Sequence, residues 1–221
     1  MPAGLAVRRY AVVYAPLVSA LLIVAGFFLD PDIGASGRDL AKSYAENPGR
    51  IQLSADALHF AFAFLAVPVL GLVVVIRRRG VWLANVAGLA AILGLTTLPG
   101  FLLTDFYDVA IYGELGGDAW QTVNDRIEEL PGAIVMFITA FGGFLLALPL
   151  ALLAAWRARL LAWWPAVAVA VGEVSAQAVP GGFGLLLWAL ALAAVTFVLR
   201  RLEWPLTVPP EPEEPQLLRE T

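Results

Sequence analysis

A histidine one helical turn from an aspartate, with a glutamate at matching depth elsewhere, is a combination that can hold and pass protons. His59 is the only histidine among 221 residues, Asp56 precedes it by three positions, and Glu173 stands in a separate apolar stretch. On a helix, residues i and i+3 share a face. An imidazole beside a carboxylate changes charge near physiological pH, which suits a proton relay or proton-coupled binding of a ligand. Thr96, Thr97 and Thr139 supply hydroxyls near the same depth, and Gln177 lies one turn from Glu173. Asp105 and Asp108, after a tight turn expected at Pro99-Gly100, form the expected mouth of such a site. An acidic rim there raises the local concentration of cations.

Several other chemistries are argued against. There is no cysteine, so thiolate metal sites, disulfides and cysteine nucleophiles are excluded. A lone histidine without an H-E-x-x-H pair does not make a zinc site, and it cannot ligate haem from two sides. No phosphate-binding or dinucleotide glycine motif occurs. Gly34-Ala35-Ser36-Gly37 spells the G-x-S-G of rhomboid-type proteases, but it falls in a loop, where Ser36 reads as a helix cap. The expectation is therefore a non-enzyme with no cofactor and no metal. A net charge of −4 argues against nucleic-acid partners.

The elements that must position these residues are membrane spans. The chain is 60% hydrophobic and only 14% charged, with a mean hydropathy of +0.81. Soluble domains carry about 25% charged residues. About 20 apolar residues cross the hydrocarbon as a helix, and six stretches qualify: 10–29, 52–76, 81–104, 131–156, 160–179 and 183–201. Residues 1–202 thus read as an all-α bundle of six transmembrane helices. His59 and Glu173 each fall about seven residues, roughly 10 Å, inside their spans. An ionisable group at such depth costs about 2.5–3.5 kcal/mol on insertion scales, so it asks for a reason.

Basic residues orient the map. Arg8, Arg9, Arg77, Arg78, Arg79, Arg157, Arg159, Arg200 and Arg201 flank alternate span ends. Only Arg38, Lys42, Arg50 and Arg126 lie on the other side, diluted among eleven acidic residues. The positive-inside rule then puts both termini in the cytoplasm and Asp56, His59 and Glu173 in the outer half. Thirteen arginines against one lysine, with abundant alanine, read as GC-rich coding, hence a bacterial cytoplasmic membrane.

Two short amphipathic helices are expected at the outer interface. One follows Ser36-Gly37-Arg38-Asp39 and stops at Asn47-Pro48-Gly49. The other starts at Asp118 and lines one face with Trp120, Val123, Ile127 and Leu130. Residues 203–221 read as a disordered, acidic, proline-rich tail. A shift of 81 residues sets Pro68 on Pro149, Arg78 on Arg159, Trp82 on Trp163 and Pro99-Gly100 on Pro180-Gly181, the pattern of a parallel duplication.

A loop helix after span one, a kinked second span and an arginine-rich inner turn make the layout resemble uncharacterised six-span bacterial membrane proteins. That resemblance implies a fold and no activity. Two readings stay open for the polar residues. They bind or pass a small solute or proton from the outer side, or they are packing contacts in a scaffold that meets a membrane-protein partner. The lipid bilayer is a partner in either case, and an intramembrane enzyme stands third.

Overall fold

The computed structural model describes residues 3–33, 35–179 and 182–202, and among these it contains helices and no strand. Helix α1 (Ala3–Leu29) leads into the short α2 (Gly37–Glu46) and then α3 (Pro48–Val75). A nearly continuous rod follows: α4 (Val81–Ala90), one π-helical turn (Ala91–Leu95), α5 (Thr96–Phe101) and α6 (Leu103–Leu115). Short α7 (Gly117–Glu128) precedes α8 (Pro131–Arg157), α9 (Trp164–Ala178) and α10 (Phe183–Arg200). The tail at 203–221 and the Pro180-Gly181 half of the 81-residue correspondence lie outside the described residues.

The chain is an all-α membrane bundle. Helices α1, α3, α8 and α10 and the rod Val81–Leu115 are long and apolar enough to cross a bilayer. The stretch expected as a fifth span is α9, 15 residues and about 22 Å long. Residues 160–163 are spent on a turn instead of helix, and Pro165 sits in the first turn of α9, where its missing N–H leaves no bond unmade. The 35-residue rod has the opposite character. At about 52 Å it outruns a hydrocarbon core of about 30 Å, so α6 projects beyond it.

Helix α1 packs between α3 and α10, α10 on α9, and α8 on α4 and the π turn. Small residues make this possible: Ala61, Ala84, Ala87, Ala140, Ala147 and Ala151 are all fully buried. Close backbone approach is the main source of helix association in lipid, where apolar side chains gain little by leaving their surroundings. Two crossings are especially tight: a Cβ on Gly94 of the π turn would lie 2.2 Å from the backbone N of Phe144 in α8, and one on Gly184 of α10 would lie 1.8 Å from the Ser175 carbonyl oxygen in α9. Gly80 opens α4 at φ +85°, and a Cβ there would meet the Ala154 carbonyl oxygen at 2.5 Å.

The turn expected at Pro99-Gly100 is absent, because both residues lie inside α5. Proline cannot donate to the carbonyl four residues back, here Leu95, and that residue ends the widened π turn. The break falls later, at Leu102. Ser36 does occupy the N-cap of α2, although its hydroxyl makes no cap bond. Asp118 does not cap α7, which starts one residue earlier from Gly116. Its carboxylate pairs instead with Arg38 of α2 at 3.0 Å.

The arginines gather at one end of the bundle. Arg77, Arg78 and Arg79 share a cavity with Arg159, and Arg159 shares another with Arg201. The opposite end is covered by α2, α6 and α7, which pack on one another.

Candidate functional site

Two cross-helix bonds set the depth of each polar residue. Ser54 Oγ donates to the Gly26 carbonyl at 3.0 Å and Ser19 Oγ to the Ala61 carbonyl at 2.7 Å, which locks α1 and α3 antiparallel. By this register His59 lies about 10 Å below the capped end of α1, with Asp56 one turn nearer that end. Phe62 of α3 is level with Trp188 of α10, their rings 6.2 Å apart. Gly172 abuts Trp188, since a Cβ on it would lie 2.8 Å from the Trp188 Cα. Glu173 is thus near the middle of the bundle, a little deeper than His59.

Depth agrees, but azimuth does not. Asp56 and His59 are exposed on the outward face of α3, with the His59 ring edge-on to Phe60 at 5.3 Å. Glu173 is 1% exposed on α9, which packs chiefly on α10 and α8. The three groups expected to form one layer are therefore not brought together. The threonines do not complete it either: Thr96 and Thr97 donate to the carbonyls of Ile92 and Leu93, and Thr139 to Val135. A threonine in a span satisfies its hydroxyl this way on its own helix. Gln177 is exposed near the end of α9.

Glu173 has an unusual setting. Both its carboxyl oxygens, and the indole Nε1 of Trp188, are buried with no protein hydrogen-bond partner. Around Trp188 stand Phe144, with ring centroids 5.3 Å apart, and Phe62. Buried polar groups are nearly always paired, and those that are not call for a bound proton, ion or water.

The capped end gathers the larger set of polar groups. Asp30 closes α1, where one carboxylate oxygen accepts from the Asp32 N–H at 2.9 Å and the other lies 3.4 Å from the Tyr44 hydroxyl. Asp105 and Asp108 of α6 lie near enough to act on Tyr44 electrostatically. Burial, then Asp108, then Asp30 push the Asp105 carboxyl up to about 7. Burial likewise raises Asp30 and Asp108, opposed in each by hydrogen bonds. Asp108 accepts from the Trp120 indole N–H at 2.6 Å. The Arg38 link to Asp118 holds α7 against α2.

Between α6 and α7 lies a cleft of about 400 Å³, lined by Thr104, Tyr107, Asp108, Ile111, Trp120, Val123, Asn124 and Ile127. Its walls are mostly aromatic and aliphatic, with Thr104 and Asn124 as neutral polar groups, and Asp108 is its one carboxylate. An aromatic wall beside a carboxylate suits a cation, by charge and by the ring quadrupole. Asp105 and Asp108 were expected from sequence as a mouth. Asp30, Tyr44, Tyr107 and Trp120 were not, although Asp30-Pro31-Asp32 carries the turn signal that places the first of them. Among the described residues, no group of three or more histidine or acidic side chains is arranged to hold a metal ion.

Compared with known protein families, curated proteins and solved structures, the chain matches none. The site is therefore read from its own geometry.

Proposed function

We propose that this chain is a small integral protein of the bacterial cytoplasmic membrane that binds a small organic cation, or takes up a proton, from the outer side. In this reading the bundle has six spans, counting the short α9, and the arginine-bearing end with both termini faces the cytoplasm. The capped end then faces outward.

One observation carries the reading: Asp108, anchored by Trp120, is the one carboxylate of a cleft whose other walls are aromatic and aliphatic side chains with only Thr104 and Asn124 polar among them. Burial and the Asp108 and Asp30 carboxylates raise the neighbouring Asp105, which makes it a group able to take up a proton beside the cleft. Glu173, deeper in the bundle, is the acceptor for a proton handed inward, because a bare negative charge there has no partner.

The test is calorimetric titration of the protein in lipid nanodiscs with tetramethylammonium and with longer alkyltrimethylammonium ions. Saturable binding is expected, lost in Asp108→Asn and kept in Asp125→Asn, a change of an exposed acid on α7 outside the cleft. Binding that survives Asp108→Asn, or no saturable binding at all, overturns the reading.

A further inference from the structure

Asp56 and His59 remain without a role inside one chain. They lie on the face of α3 that the rest of the bundle leaves open, below the capped end. Polar side chains that face lipid at this depth are expensive and rare, and in membrane proteins they point at another helix or at water. The residues around them form a pattern. Gln52, Asp56, His59, Ala63, Ala66 and Leu70 follow one another at alternating steps of four and three. All but Ala66 are exposed, and Ala66 is half-buried at the edge of the core. That alternation is the seam of a left-handed helix pair, polar at one end, small in the middle and apolar at the other.

We propose that this seam is the interface with a second copy of the same chain, α3 against α3, across a two-fold axis normal to the membrane. The charge pattern selects that partner. Copies inserted in one membrane share one orientation, so such an axis sets α3 parallel to its counterpart with equal depths facing. Across the axis each Asp56 is level with the other Asp56 and each His59 with the other His59, and the unlike pairs form between layers, with each Asp56 one helical turn from His59 of the second copy. The interface is self-complementary, as a two-fold contact must be. Ala63 and Ala66, one and two turns further in, let the backbones close up.

The chain has no cysteine, so a single introduced thiol reports its own neighbourhood. Ala63→Cys is oxidised in membranes and compared with Leu190→Cys. Leu190 is an exposed residue of α10 at a similar depth, two positions beyond the Trp188 that meets Phe62. Disulfide-linked dimer is expected from Ala63→Cys at a level several-fold above the Leu190 control. In the Ala63→Cys background, Asp56→His and His59→Asp should each reduce the dimer several-fold by leaving only like groups in the seam. The double exchange should restore it, and that rescue separates pairing from misfolding. Equal cross-linking at both positions, a product joined to a different protein, or a double exchange no better than the single ones overturns the proposal.

Discussion

The indole N–H of Trp120 meets a carboxylate oxygen of Asp108 at 2.6 Å, joining α7 to α6 across twelve residues of chain. Trp120 is only 5% exposed, and both partners of the bond line the cleft. It holds one oxygen of Asp108 in place and ties an amphipathic interfacial helix to the projecting end of a span.

Trp120→Phe keeps the ring and removes the donor. Leaving a half-buried charged acceptor unpaired costs about 1–3 kcal/mol. A lower melting temperature in detergent is expected, with weaker binding of alkyltrimethylammonium ions. Trp120→Phe that melts like the parent shows that the bond holds nothing.

Asp105 gives a pH dependence whose sign follows from its raised folded value. Between its ordinary value of 3.8 and about 7 the folded chain holds a proton that the unfolded chain has released. Its contribution to stability is therefore full below about 4 and is lost as pH rises toward 7. Asp105→Asn removes this loss, so the variant should gain on the parent across that window, by an amount on the order of a few kcal/mol. Melting curves at pH 5 and pH 8 measure it, and an unchanged difference between the two chains contradicts it.

Glu173→Leu separates stability from function. Replacing a buried, unpaired carboxyl by an apolar side chain of similar size is neutral or stabilising, by about 1–4 kcal/mol where such exchanges succeed. Proton uptake by vesicles containing the protein should nevertheless be lost. Severe destabilisation of Glu173→Leu in chemical unfolding would instead mean that the carboxyl holds the bundle together.

Gly143→Ala tests the crossing at the π turn. A Cβ there would stand 2.6 Å from both the Cα and the N of Gly94, and backbone cannot yield as a flexible side chain does. Overpacking of this kind costs about 1–3 kcal/mol. Gly142→Ala, one residue away and facing open space, should be silent in the same melting assay.

The membrane class and the helix positions were legible because hydropathy is a one-dimensional property. Leu29 and Pro131 mark helix ends in sequence and structure alike. Depth was legible for the same reason: the rise per residue is constant, and His59 and Glu173 do lie near one another in depth. Azimuth was not, since it depends on which face of each helix is packed, and that put His59 outside and Glu173 inside. The π turn left no mark in composition, because Ala91–Leu95 is as apolar as its neighbours. Trp120 was assigned to the right face, yet its partner Asp108 is twelve residues away on another helix, where no periodicity reaches.

The rod from Val81 to Leu115 also acts as a lever. Its fulcrum is the backbone contact of Gly94 with Gly143, at the π-helical turn. About 32 Å of helix, interrupted only at Leu102, extends from there to the tip. A tilt of about 5° at the fulcrum moves that tip by about 3 Å, as much as the length of a hydrogen bond. Whatever fills the cleft beside α6 thus pushes on the arm of a rod whose other arm, α4, lies among the buried alanines of α8.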